Sequence, residues 1–107
     1  LQLRDFIYID DVIDTFLKIL ANKSIDGQII NIGYGSPKKI KEIIKNLKKN
    51  LNGGKPIFGK VKIRKDEIMT LYPSIKKAKK LIDWTPKTNF NLDIKKTIKY
   101  FYKEIRN

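Results

Sequence analysis

The residues that could do chemistry in this 107-residue chain are limited, because it contains neither cysteine nor histidine. Thiol nucleophiles, disulfides, thiolate metal sites and histidine-based hydrolytic triads are therefore excluded. Three short patterns remain that could carry a reaction or bind a ligand: Gly33-x-Gly35, Tyr72-x-x-x-Lys76 and Asp10-Asp11-x-x-Asp14. Each of them also has a purely structural interpretation.

The glycine pattern follows an apolar stretch and precedes a helix-forming segment, as the phosphate-binding loop of a dinucleotide site does. The third glycine of such a loop would fall at position 38, which is a lysine, and no acidic residue stands about 20 residues further on. The sequence therefore favours a structural turn at Gly33 and Gly35 over a dinucleotide site.

The other two patterns are weaker as sites. Tyr72 and Lys76 have the spacing of a catalytic pair that shares one helical face, but Pro73 and the helix-capping residue Ser74 place Tyr72 before the helix. The three aspartates from position 10 to position 14 suit a helix N-cap followed by first-turn acids, which needs no metal. We expect neither pattern to be catalytic.

The charge balance is strongly basic, with 24 basic and 11 acidic residues, a net charge of +13 and a pI of about 9.9. Such a charge is typical of a small module that binds nucleic acid or an acidic partner, and this interpretation stays open as the alternative function. However, only Arg4, Arg64 and Arg106 are arginines, which leaves 21 lysines. Because lysine, isoleucine and asparagine all have A/T-rich codons, genomic composition also explains the excess, and the lysines would then form solvated helix faces.

The elements that must position these residues alternate along the chain. Patterns rich in β-formers predict strands at 4–9, 28–32 and 56–64. Helices are expected from Asp10 to about Ala21, from Pro37 (capped by Ser36) to Asn52, from Ser74 to Ile82, and from Asn91 onward. In the first helix the apolar face comprises Val12, Phe16, Ile19 and Leu20. The order β-α-β-α-β-α-α predicts a mixed α/β fold, with about four helices and three short strands in one domain over residues 1–107.

Three segments together resemble one known family. They are Arg4-Asp5-Phe6-Ile7-Tyr8-Ile9-Asp10-Asp11-Val12; then Ile30-Asn31-Ile32-Gly33-x-Gly35; and finally Arg64-x-x-Glu67, Ser74-Ile75-x-Lys77-Ala78 and Leu81-x-x-Trp84-x-Pro86. Their order and spacing are similar to those in the C-terminal region of the extended short-chain dehydrogenase/reductases, the NAD-dependent nucleotide-sugar epimerases and dehydratases. The resemblance extends from residue 4 to about residue 102.

The resemblance implies a substrate-binding role for particular residues. Arg4 and Arg64 match family arginines that bind the diphosphate or nucleoside of a nucleotide sugar, and a guanidinium suits that role because it holds phosphate oxygens in a bidentate manner. Glu67 matches an acid that contacts the ribose, and Asn31 an asparagine that touches the nucleotide in some relatives. From the residues alone, the two arginines could instead pair with Asp5 or Glu67, and Asn31 could be a turn residue.

The resemblance also implies that the cofactor-binding and catalytic groups lie outside this chain. In the family, the glycine-rich NAD(P) loop and the catalytic Tyr-x-x-x-Lys helix belong to an N-terminal Rossmann domain, so we expect this chain to be a fragment with no catalytic, cofactor-binding or metal-binding residues of its own. The expected function is to position a nucleotide sugar for NAD(P)-dependent hydride transfer in the parent enzyme. The base, the sugar and the choice among epimerase, dehydratase and reductase stay open.

The same resemblance gives three further expectations. The first helix and the strand at Asn31 should pack against the Rossmann domain, so that the isolated chain exposes an apolar patch and self-associates. The chain alone should bind no dinucleotide and turn over no substrate. No signal peptide or membrane span is visible, so a cytoplasmic location with a nucleotide-sugar partner and a homo-oligomeric parent is expected.

Overall fold

The computed structural model of the chain describes the backbone of residues 2–106 and the side chains of residues 2–104. Its elements in chain order are β1 (Leu3–Arg4), α1 (Ile9–Leu20), a short 3₁₀ helix (Lys23–Ile25), β2 (Lys38–Lys39), α2 (Ile40–Leu51), β3 (Thr70–Leu71), α3 (Lys76–Ile82) and α4 (Phe90–Arg106). Four α-helices and three short strands within the described residues confirm the expected mixed α/β class.

The three strands form one small sheet with β1 in the middle. β2 runs antiparallel to β1 and pairs Lys38 with Arg4, whereas β3 runs parallel to β1 and pairs Leu71 with Arg4. Because Arg4 lies on the central strand, segments that are far apart in sequence come together around it.

The core is centred on Trp84, which is fully buried together with Ala78 of α3. Ile25 and Ile82 complete this buried cluster, and half-buried isoleucines surround it. The indole Nε1 donates a hydrogen bond of 3.2 Å to the carbonyl oxygen of Asp11, which joins the end of α3 to the first turn of α1. The Leu81-x-x-Trp84-x-Pro86 motif thus packs the helical part of the molecule.

The helix α1 has one apolar side in solvent. Phe16 and Leu20 of the predicted apolar face are exposed, Leu20 by 81%, whereas Val12 and Ile19 of that face are partly buried. The exposed part agrees with the apolar patch that was expected on the isolated chain. On the other side of the helix, Thr15 and Asp11 are buried, and the segment after Trp84 supplies hydrogen-bond partners for Asp11.

The predicted strands were placed correctly only in part. The first is limited to Leu3–Arg4, although the prediction put it at residues 4–9. Residues 28–32 form no strand, since no neighbouring segment in the described chain pairs with them, and Ile29 is exposed. The segment 56–64 is also irregular, with Val61 and Ile63 in solvent. The additional strands β2 and β3 lie next to β1, outside the predicted segments.

The helix starts differ from the predicted caps by a few residues. α2 begins at Ile40 rather than Pro37, because Lys38 and Lys39 pair with β1, and it ends before Asn52 in the left-handed region, as expected. α3 begins after Ile75 rather than Ser74. α4 begins at Phe90, one residue before the predicted Asn91, and the Asn89 side chain accepts a 2.8 Å hydrogen bond from the Asn91 backbone N–H.

The chain is less compact than expected for its length. Its radius of gyration is 16.7 Å, against about 13 Å expected for a compact domain of this size. Many large apolar side chains are exposed, particularly on α1 and in the segment between α2 and β3. Within residues 2–106, no helix is both long and apolar enough to cross a membrane.

Candidate functional site

The predicted site residues Arg4, Arg64 and Glu67 come together at the sheet. Arg4 Nη2 donates a 2.7 Å hydrogen bond to Glu67 Oε1, and Arg64 Nη2 donates one of 2.8 Å to Glu67 Oε2. Arg64 Nε also reaches Oε2, at 3.2 Å. The local cause is a tight turn in which the Glu67 backbone N–H donates to the Arg64 carbonyl oxygen, while β3 brings the segment alongside β1.

The two arginines differ in their access to solvent. The Arg4 side chain is only 21% exposed, whereas that of Arg64 is 79% exposed, and Glu67 between them is 18% exposed. The cluster therefore carries one net positive charge, with one guanidinium anchored in the sheet and one projecting into solvent. The pairing of Arg4 and Arg64 with Glu67 that the sequence left open is present, whereas Asp5 pairs with neither.

The electrostatics of Glu67 follow from these contacts. The side-chain hydrogen bond from Arg64 is the largest influence and lowers the pKa of the Glu67 carboxyl below its usual value, with a further lowering by Arg4. Partial burial opposes this shift without reversing it. Glu67 is thus an ionised acceptor whose remaining lone pairs could accept hydroxyl donors.

Asn31 lies beside Arg4 at a separate opening. A cavity of about 480 Å³ is lined by Arg4, Asp5, Asn31, Ile32, Leu71, Tyr72 and Pro73. Its walls combine one guanidinium, one carboxylate, an amide and a phenol with apolar side chains, which is a composition suited to a polar organic ligand. The structure therefore places all four predicted site residues either at this cavity or at the ion-pair cluster that shares Arg4 with it.

The glycine turn is held by Asp5. The Asp5 carboxylate accepts hydrogen bonds of 2.7 Å from the backbone N–H groups of both Tyr34 and Gly35. A phosphate cradle would need these same N–H groups, so the loop does not fit a dinucleotide. A Cβ on Gly33 would overlap with the Pro73 ring, so close packing requires a glycine at this position. These contacts give the glycine turn a structural role.

The two remaining patterns also have structural roles. Tyr72 precedes α3, which begins at Lys76, so the pair does not share a helical face, as predicted. Asp10 is not the helix cap that was predicted, since Tyr8 occupies that position, but both Asp10 and Asp11 lie in the first turn of α1. The Asp11 carboxylate accepts hydrogen bonds from the Lys87 backbone N–H at 3.2 Å and the Thr88 hydroxyl at 2.6 Å. Among the described residues, no group of acidic side chains could hold a metal ion.

Sequence reasoning missed the roles of Asp5, Asp11 and Tyr72. Asp5 and Asp11 belong to the first family-like segment, but their partners lie 29 and more residues away, and no local pattern reveals such pairs. Tyr72 was considered only as half of a catalytic pair. The signal that could have found its place at the cavity is its position directly after the β-forming residues 70 and 71, which pair with Arg4 and its neighbour.

Comparisons with known proteins find similar proteins in one enzyme family. A family model described as the NAD dependent epimerase/dehydratase family matches residues 1–33. A CDP-abequose synthase from Salmonella muenchen is 33% identical over 99 residues, covering 91% of this chain and 33% of that protein. A UDP-glucuronate 4-epimerase from Thermodesulfobacterium geofontis is 34% identical over 100 residues, covering 92% of this chain and 30% of that protein.

A solved structure has the same fold over nearly the whole chain. The UDP-glucose 4-epimerase of Thermotoga maritima, determined with UDP-glucose, superposes with a TM-score of 0.85 at 28% identity, covering 97% of this chain and 33% of that one. The chain thus spans about a third of the length of the relatives that it matches. These findings confirm the resemblance of the chain to the NAD-dependent epimerase/dehydratase family, the extended short-chain dehydrogenase/reductases.

Proposed function

We propose that this chain forms the nucleotide-sugar-binding part of an NAD(P)-dependent sugar epimerase, dehydratase or reductase. Arg4 and Arg64 would hold the diphosphate, Glu67 would accept hydroxyl groups of the ribose, and Asn31 would contact the nucleotide. The observation that carries the proposal is the convergence of both guanidiniums on Glu67, next to the cavity that Arg4 shares with Asn31. The names of the relatives, which act on or hold CDP- and UDP-linked sugars, support the substrate class.

The chemistry of the cluster suits a diphosphate. A guanidinium stays charged at all relevant pH values and presents its donors in a planar fork, so two of them can neutralise the two negative phosphates. Glu67 holds Arg4 and Arg64 close together in the absence of a ligand, although its negative charge offsets one of their two positive charges. This chain would act by positioning, because holding the nucleotide fixes where the attached sugar ring lies.

The reaction itself would depend on groups outside this chain. In the parent enzyme, bound NAD(P) would supply hydride transfer to and from the sugar. We place its binding site in a further, Rossmann-type domain, because Asp5 already occupies the backbone N–H groups that the glycine turn could offer. The exposed apolar side of α1, defined by Ile9, Ile13, Phe16, Leu17 and Leu20, would pack against that domain. We also propose that the parent enzyme is a homo-oligomer.

Calorimetric titration of the chain with UDP and CDP tests the nucleotide site, with uridine as the phosphate-free control. Arg64→Gln should weaken UDP or CDP binding about tenfold, because it removes a charge-assisted contact to phosphate. Its exposed side chain makes the variant safe for folding. Lys60→Gln, which removes the same charge from an exposed position in the same segment, is the matched control and should change the affinity less than about twofold.

Two results would contradict the proposal. Equal losses in Arg64→Gln and Lys60→Gln would mean that the nucleotides bind to general positive charge. Salt-sensitive binding to random-sequence DNA, together with no affinity for either nucleotide, would favour the alternative of a basic nucleic-acid module.

A further inference from the structure

The helices α2 and α4 pack side by side and leave an open groove between them. A cavity of about 380 Å³ is lined by Leu47, Leu51, Thr97, Ile98, Phe101 and Tyr102. A second cavity of about 450 Å³ shares Ile98 and Tyr102 with the first and continues past Asn50 to Lys95 and Lys99. Since the two cavities share these walls, they form one surface, here named the α2–α4 groove. It shares no lining residue with the cavity at Arg4.

The floor of the α2–α4 groove is apolar although it faces solvent. Leu51, Phe101 and Tyr102 are each exposed by 42% or more. Exposed aromatic and aliphatic side chains that line a concave surface are typical of a protein contact site. The Asn46 side chain on α2 donates a 3.3 Å hydrogen bond to that of Asn91 on α4, so the two walls are connected at one end.

The borders of the groove are positively charged. α2 carries four lysines against the single acid Glu42, and its C-terminal half presents Lys45, Lys48 and Lys49 at a neighbouring hollow. α4 also carries four lysines, while Asp93, one of its two acids, is buried. An occupant of the groove must therefore combine an apolar ridge with negative charge on both sides.

We infer that the α2–α4 groove binds an acidic amphipathic helix of a partner protein. Such a helix inserts apolar side chains at positions i, i+3, i+4 and i+7 between two helices, and its flanking glutamates or aspartates meet the lysines. A second copy docked through the same groove fits poorly, because it would place the same lysines opposite each other. A nucleic-acid backbone has no apolar ridge that could fill the floor.

Fluorescence anisotropy with synthetic peptides tests this inference. The probe is a labelled 18-residue peptide with leucine at i, i+3, i+4 and i+7 and glutamate at the flanking positions; a scrambled peptide of the same composition is the control. The chain should bind the amphipathic peptide and not the scrambled one. The double substitution Lys95→Glu and Lys99→Glu should weaken binding at least about tenfold, because it replaces attraction by repulsion at the border.

A matched pair of substitutions separates the groove from general charge. Lys77→Glu with Lys80→Glu makes the same change of charge on α3 and should alter the affinity less than about twofold. Leu51→Gln, at a partly exposed floor position, should weaken binding without unfolding the chain. Equal binding of the scrambled peptide, equal losses in both lysine pairs, or no peptide binding would overturn the inference. Evidence that a second copy of the chain fills the groove would also overturn it. That evidence would be a dimer that only the Lys95 and Lys99 substitutions convert to a monomer.

Discussion

The two sides of α1 differ in a way that explains the open shape of the molecule. On one side Asp11 and Thr15 are buried, and Asp11 is joined to Trp84, Lys87 and Thr88 by hydrogen bonds. On the other side, the apolar residues Ile9, Ile13, Phe16, Leu17 and Leu20 are exposed to solvent. A surface helix normally buries its apolar side, so an exposed apolar side of this size is unusual.

The difference between the two sides of α1 shows which contacts the chain makes by itself. The polar side is stable when buried because the Asp11 carboxylate and carbonyl oxygens have donors, which removes the cost of taking them out of water. The apolar side has no such contacts within the described residues, and its burial awaits a further domain under the proposed function. Substitutions on the two sides should therefore have opposite consequences for folding and for association.

The largest effect is expected at Trp84. Trp84→Ala removes a fully buried indole and its hydrogen bond to Asp11, and should lower the free energy of unfolding by about 3–5 kcal/mol. Phe16→Ala on the exposed side should change it by less than about 0.5 kcal/mol. Urea unfolding followed by circular dichroism measures both values. Similar losses in the two variants would contradict the difference between the sides of α1.

The next largest effect is expected at Asp11. Asp11→Ala leaves the Lys87 backbone N–H and the Thr88 hydroxyl without their acceptor, and should cost about 2–3 kcal/mol. Asp11→Asn keeps one amide oxygen as an acceptor and should cost less. Both are measured by the same unfolding experiment, and a loss below about 0.5 kcal/mol in Asp11→Ala would show that the link to residues 87 and 88 contributes little.

Substitutions on the apolar side should change association rather than stability. The unsubstituted chain is expected to self-associate through this side, so Leu17→Gln with Leu20→Gln should shift light scattering toward the monomer. Their combined effect on unfolding should stay within about 1 kcal/mol. A chain that is already a clean monomer at high concentration would contradict this expectation.

The smallest effect concerns the acid dependence of the ion-pair cluster. Because the folded pKa of Glu67 lies below its unfolded value, its contribution to stability is complete above the unfolded pKa and is lost as the pH falls through the folded one. Titration of the Glu67 side-chain carbon by NMR measures the pKa directly. Arg64→Gln should raise it, whereas Lys60→Gln should leave it nearly unchanged; equal shifts would assign the lowering to overall charge.

Much of the helical architecture could be predicted from sequence, since the apolar periodicity of residues 40–51 and the Pro86 stop are local signals. The strands could not, because each has only two residues and is defined by its neighbour rather than by its own pattern. The apolar patch that was expected to be exposed on the isolated chain is present on α1. Periodicity shows which side is apolar and not what covers it.

The residues of the candidate site could be predicted more completely than the sheet that positions them. Arg4, Arg64, Asn31 and Glu67 were identified from the family-like segments, and the structure brings them together around β1 and β3. The mutual pairing of the arginines through Glu67 was only one of the open alternatives. It depends on a parallel pairing across more than 60 residues, which no short pattern encodes.

A crystal structure of the chain with UDP tests the central claim most directly. The account predicts the two phosphates within hydrogen-bond distance of the Arg4 and Arg64 guanidiniums, with the ribose hydroxyls toward Glu67 and the nucleotide beside Asn31. Phosphates bound instead at the glycine turn, or among the lysines of α2 and α4, would contradict it.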